Sequence, residues 1–174
     1  MVVQLVEFNW CRARDEATRL AKLFATNLTS SYISHAELQG PRALDTSTWS
    51  PDIDAVLERD LVSRVEQPLD AAAGEKTQLL VSGRVGEKEV AVFLVSFSRA
   101  AAVAYTEIED MMVAADARGG DIGHQFMHWI SRESKQRGIK RLFLESGITN
   151  DRAHDFFEDI GFRKISVVMM KSLQ

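Results

Sequence analysis

The stretch Met111-Met112-Val113-Ala114-Ala115-Asp116-Ala117-Arg118-Gly119-Gly120-Asp121-Ile122-Gly123-His124 constrains the fold more than any other part of the chain. An apolar, strand-like run stops at Val113, a short polar connection follows, and a glycine-rich turn opens directly into a helical pattern. Glycines let backbone amides approach a ligand closely. The first turn of a helix adds N–H donors that lack helical acceptors, at the positive end of the dipole. Strand, glycine loop and helix in that order build a seat for an anion, and a phosphate-bearing cofactor fits it. Two familiar phosphate loops are excluded. No Lys-Ser/Thr pair follows the last glycine, and Gly119, Gly120 and Gly123 do not have the dinucleotide spacing.

Periodicity places this loop inside an alternating α/β chain. Val2 to Phe8 reads as a first strand. A helix opens at Asp15, with Ala17, Leu20, Ala21, Phe24 and Leu28 on one face. The segment 29–51 is rich in Ser, Thr, Gly and Pro and allows one further helical turn at Ile33 to Leu38. A second helix follows Asp52, with Ile53, Val56, Leu57 and Leu61 aligned. Thr77 to Val85 and Glu89 to Ser98 form a hairpin through Gly86, and Ala104 to Val113 is the strand that feeds the loop. The helix from Ile122 stops at Gly138. A short strand at Arg141 to Glu145, a helix at Asp151 to Ile160 and a last strand at Lys164 to Lys171 complete the chain. The order is β α α β β β α β α β, a mixed α/β sheet with helices, in one domain over residues 1–174.

Composition narrows the function classes. A net charge of -4 and no basic stripe argue against nucleic acid as a partner. No apolar run is long enough to cross a bilayer, and the start lacks the marks of a signal peptide, so the expectation is a cytoplasmic protein with no membrane contact. Cys11 is the single cysteine, which fits a reducing compartment, and packing explains it better than a catalytic thiol. His124 and His128 are one helical turn apart but have no third ligand, so no metal is expected. The oligomeric state stays open, a homodimer included.

Arg118-Gly119-Gly120-Asp121-Ile122-Gly123 resembles the cofactor loop of the GNAT superfamily of acetyltransferases, Arg/Gln-x-x-Gly-x-Gly/Ala, with Asp121 where that family usually has glycine. Upstream, Tyr105 to Val113 is similar to the family's central strand. Downstream, Asn150-Asp151-Arg152-Ala153-His154-Asp155-Phe156-Phe157, closing on Gly161-Phe162, is similar to its second signature. The resemblance implies a GNAT-like fold with acetyl-coenzyme A as cosubstrate. It makes 104–174 the cofactor half and 1–100 the substrate half. Arg118, Gly119, Gly120, Asp121, Ile122, Gly123 and His124 would hold the pyrophosphate. Met111, Met112 and Val113 would meet the pantetheine through their backbone where the strand splays from Arg141–Glu145, and an amide of Met112 or Val113 would face the oxyanion. Asn150 and Phe157 would border the cofactor.

The implied reaction is acetyl transfer to a primary amine of a small molecule. An ammonium must lose a proton before it attacks. Glu107 and Glu109 share a strand face by the period of two, so either could serve as base, directly or through water. The alternative is a solvated face made by both with Asp110. Relatives protonate the departing thiolate with a tyrosine where this chain has Phe157. Tyr105 is a possible substitute, as are Ser146 and Thr149 through water. Two other readings stand beside this one: a coenzyme A-binding sensor without chemistry, and acetylation of a protein terminus or lysine. The segment 29–51 separates small molecule from peptide, since a lid there suits the former and an open groove the latter. Asp121 at a helix start should accept from the amides of Gly123 or His124, the donors a pyrophosphate needs.

Overall fold

A computed structural model describes residues 5–173. Strand β1 (Glu7–Trp10) is followed by helix α1 (Arg14–Thr26), a single 3-10 turn at Ser30–Tyr32, and helices α2 (His35–Gln39) and α3 (Ile53–Ser63). Strands β2 (Lys76–Val85), β3 (Lys88–Ser98) and β4 (Tyr105–Val113) lead to a 3-10 turn at Ala115–Ala117. Helix α4 (Ile122–Gln136), strand β5 (Leu142–Leu144) and helix α5 (Asp151–Asp159) follow. The first strand thus lies later than the Val2–Phe8 expected, and residues 2–4 of that stretch fall outside the described residues.

The five strands lie in the order β1-β2-β3-β4-β5. The first three pairings are antiparallel and β4 runs parallel to β5. Register Val85↔Lys88 leaves Gly86 and Glu87 as the turn, with Gly86 at a φ of 58° that a side chain would disfavour. Strand β3 is apolar almost throughout because helices cover both of its faces. On one face, Ala17, Leu20, Ala21 and Phe24 of α1 and Leu57 and Leu61 of α3 pack with Leu80, Val92, Leu94 and Met112. On the other, Ile122, Phe126, Met127 and Ile130 of α4 pack with Leu79, Val81, Phe93, Val95, Phe97 and Ile108. Phe93 and Phe126 stack with ring centroids 3.7 Å apart, which anchors α4, and with it the loop that precedes α4, to the middle of the sheet.

The chain departs from expectation at its end. Residues 162–173 form no strand, where a strand over Lys164 to Lys171 was expected, and Ile165, Val167, Val168, Met169 and Met170 are all exposed. The physical reason is in the pattern. Ile165, Val167 and Met169 fall on one side of an extended chain and Val168 and Met170 on the other, so such a strand needs cover on both faces. Beside β5 one face is covered by α4, whereas Phe143 on the other is exposed.

Candidate active site

The strands part where the chemistry is expected. Pairing between β4 and β5 is confined to Thr106↔Leu142, Glu107↔Phe143 and Ile108↔Leu144. From Glu109 onward that edge of β4 meets no strand among the described residues, while β3 continues alongside to Val113. The Ala114 amide donates to the Val90 carbonyl at 2.9 Å. By the alternation of an antiparallel ladder, the Met112 amide also turns toward β3, and those of Met111 and Val113 turn into the gap. Of the residues expected to offer backbone groups there, Met111 and Val113 therefore do so and Met112 faces the wrong way.

A β-bulge decides which side chains accompany them. Register steps from Val95↔Ile108 to Leu94↔Asp110, leaving Glu109 as the extra residue. The bulge brings Glu107, Glu109 and Asp110 to the α1–α3 face together. They do not form a solvated face. Glu109 accepts from Arg64 Nη1 at 2.7 Å and Gln78 Nε2 at 3.1 Å, with Lys76 Nζ at 3.1 Å. Burial raises its pKa, but the cations Arg64 and Lys76 outweigh burial and hold it down at about 2. A carboxylate so anchored is a poor proton acceptor. Asp110, 3% exposed, accepts from Arg42 Nη1 at 2.8 Å and from the Tyr32 hydroxyl at 3.0 Å. Here burial prevails over Arg42 and pushes the carboxyl up to about 6. Asp60 ties Arg42 to Arg64, so one ion-pair network fastens α3 and the 29–51 segment to the bulge. Glu107 is the least restrained of the three. It is 35% exposed and pairs with Lys76 Nζ at 2.9 Å. Tyr105 packs edge-on against Phe143 at 5.4 Å, a ring contact rather than a proton path.

The segment 29–51 closes over the gap. The Tyr32 hydroxyl accepts from the Met111 amide at 3.0 Å. A few residues on, the Ala36 amide donates to Glu145 beyond β5 at 3.1 Å, and a capping box of Ser34 and Glu37 rigidifies α2. Gly147 passes so close under the Ser31 and Ile33 carbonyls that any β-carbon there would strike backbone. The strap therefore reaches from β4 to the loop that follows β5. Tyr32, Arg42, Arg64 and Lys76 went unassigned from sequence, because none lies in a motif and only the bulge and the strap unite them.

The expected anion seat falls at the start of α4. Asp121 adopts the left-handed conformation at φ 63° and makes no capping bond. Its Oδ1 instead lies 2.9 Å from His124 Nδ1, so the expected bonds to the Gly123 and His124 amides are not made and these first-turn donors stay open to a ligand. Gly123 is required by packing, since a β-carbon would come within 2.9 Å of the Phe156 ring of α5. Arg118 turns back, donating through Nε to the Val113 carbonyl at 3.1 Å, and fixes the loop to the end of β4. Gly119 supplies a φ of 83°. Asn150 stands at the N-cap of α5, where its backbone carbonyl, not its side chain, accepts from Ala153 and His154. Phe157 packs against Phe156 and Phe162. Burial pushes the Cys11 thiol up to about 12, which suits packing. Among the described residues no cluster of three metal-ligating side chains occurs, and no helix is long and apolar enough to cross a membrane.

A mixed sheet whose two strands part beside open first-turn amides at a helix start is suited to a phosphate-bearing ligand. Residues 52–162 match the Acetyltransferase (GNAT) family, and the chain belongs to it. Solved structures share the fold over almost the whole length. The tetramutant of BH1408 protein from Bacillus halodurans superposes with a TM-score of 0.70 at 16% identity, covering 97% of this chain and 99% of that one. A ribosomal-protein-alanine N-acetyltransferase from Brucella melitensis biovar Abortus 2308 gives 0.64 at 15%, covering 97% and 100%. An aminoglycoside acetyltransferase from an uncultured soil metagenomic sample, in complex with sisomicin, gives 0.63 at 13%, covering 98% and 96%. At such identities the likeness concerns the fold alone. No curated protein matches the chain.

Proposed function

We propose that the protein transfers the acetyl group of acetyl-coenzyme A to the primary amine of a small, cationic molecule. The strap over the gap is the observation that carries this reading: with Tyr32 bonded to β4 and Ala36 to Glu145, a folded peptide has no open trough to enter. The solved relative that acts on aminoglycosides is in keeping with it. In this reading the first-turn amides of α4 and the loop at Gly119 and Gly120 receive the pyrophosphate. The amides of Met111 and Val113 meet the pantetheine and thioester carbonyls.

Glu107 takes the role of base. It holds an ammonium already, that of Lys76, and an acceptor's ammonium makes the same contact. The amine gives its proton to Glu107, directly or through a water, and attacks the thioester carbonyl. The C–N bond forms as the C–S bond breaks, and the thiolate departs. Glu109 stays ionised at neutral pH, its charge held by Arg64 and Lys76. With Phe157 in place of a hydroxyl-bearing ring, the thiolate leaves unprotonated or takes its proton from water, which predicts modest turnover.

The test is direct. Acetyl-coenzyme A should raise the melting temperature, and thiol release should follow with a cationic amine. Stabilisation with no thiol release across an amine panel would make the protein a binder without chemistry. Absence of stabilisation would remove the cofactor from the account.

A further inference from the structure

Three side chains line up on one face of the sheet just before the strands part. Glu107 of β4 and Phe143 of β5 are register partners, one step short of the last pair, Ile108↔Leu144. Register partners turn their side chains to the same face, and residues two apart on a strand share it, so Tyr105 belongs there as well. The Tyr105 and Phe143 rings meet edge to face at 5.4 Å, with their planes 83° apart. Among the described residues of β4 and β5, Phe143 is the one large apolar side chain left exposed, at 36%. Leu142 and Leu144 pack with α4 on the opposite face. The strap does not cover the ring either, because its contacts beyond β5 fall at Glu145 and Gly147.

We propose that Tyr105 and Phe143 form the shelf that selects the acceptor: they take the aromatic ring of an arylalkylamine whose ammonium lies on Glu107. The inference rests on the acetyl-transfer reading of the same site. The state of the three acidic side chains at the bulge favours one ammonium on an apolar body over a polyamine. Glu109 is held by Arg64, Lys76 and Gln78, and Asp110 by Arg42 and Tyr32. Glu107 differs: Lys76 Nζ at 2.9 Å and Ser96 Oγ at 3.5 Å both meet Oε2, and no bond among the described residues engages Oε1. The bulge thus offers a second ammonium no free carboxylate, whereas an apolar body finds Phe143. Lys76 does not bar the way. It bridges Glu107 and Glu109, so it can yield the first and stay on the second at 3.1 Å. A third ring extends the edge-to-face packing already present, an arrangement aromatic groups prefer. Neighbouring strands lie about 4.8 Å apart, close to the separation of ring and nitrogen across a two-carbon link. The gap opens one residue beyond this rung, so the nitrogen is held at its mouth with the ring outside.

Calorimetry with 2-phenylethylamine and n-propylamine, on the protein alone and with coenzyme A present, reads the shelf without requiring turnover. The unaltered protein should bind 2-phenylethylamine about tenfold more tightly, and Phe143→Ala should bring that ratio close to one. Propylamine serves as the internal control for the fold of the variant. Tyr105→Phe, which keeps the ring, should retain the ratio. Equal affinity of the unaltered protein for the two amines, or no binding of either, overturns the proposal whatever the variants do. So does tighter binding of spermidine than of 2-phenylethylamine, which would make the number of charges the selector. Ring-selective binding without thiol release would uphold the shelf and remove the acetyl-transfer reading. Thiol release at equal kcat/KM from both amines would do the reverse.

Discussion

The Tyr32 hydroxyl sits at 3.0 Å from both the Met111 amide, whose hydrogen bond it accepts, and Asp110 Oδ1, to which it donates. It joins the strap to β4 at one of the two backbone donors that point into the gap. The phenol oxygen accepts from that amide as a ligand carbonyl would.

Tyr32→Phe separates those two duties. Asp110, fully enclosed, loses a donor, which should cost about 1–2 kcal/mol of stability by denaturant titration. The Met111 amide, freed of its competitor, should bind acetyl-coenzyme A about fivefold more tightly by calorimetry, the worth of one neutral hydrogen bond. Weaker binding would mean that the strap orders the site more than the hydroxyl blocks it.

Glu107→Gln should lower kcat for an amine by about 10²- to 10⁴-fold while leaving acetyl-coenzyme A binding unchanged. The loss should shrink as pH rises and free amine becomes abundant. Full activity in this variant would move the base elsewhere, and the anchoring of Glu109 by Arg64 leaves that residue a poor substitute.

Acid should test the Glu109 anchor. Its carboxyl is lowered from 4.5 to about 2, so the folded protein binds the proton less tightly than the unfolded chain. The resulting stability is fully present above pH 4.5 and drains away as pH falls toward 2, worth about 3 kcal/mol at most. Asp110 has the opposite sign. Raised from 3.8 to about 6, it subtracts stability as pH climbs through that window. Urea midpoints measured from pH 3 to 7 should show the acid limb flatten in Glu109→Gln. A parallel limb would leave the Arg64 pair without energetic weight.

Asp121→Gly should tighten acetyl-coenzyme A severalfold. Glycine accepts a φ of 63° without strain, a gain of about 1 kcal/mol in folding stability, and the substitution takes a negative charge away from the seat. At 5 Å and an effective dielectric of 20 the repulsion would be about 3 kcal/mol. The side chain is half exposed and turned toward His124, so solvent reduces it well below that. Calorimetry with no gain in affinity would show that the carboxylate lies clear of the phosphates.

The local order of the chain was written in residue patterns. Periods of 3.6 and 2 named the helices and strands of residues 5–161 to within a few residues, and Gly119, Gly120 and Gly123 marked the turn that opens α4, because these depend on neighbours in the chain. Where β4 bulges, which amides turn into the gap, and which carboxylate stays free to take a proton were decided only by tertiary contacts. Arg64 is 45 residues from Glu109 and Tyr32 is 78 from Asp110, and no local period connects groups so far apart. The tail shows the same limit from the other side. Its apolar run reads as a strand, yet a strand forms only where an edge and cover on both faces await it.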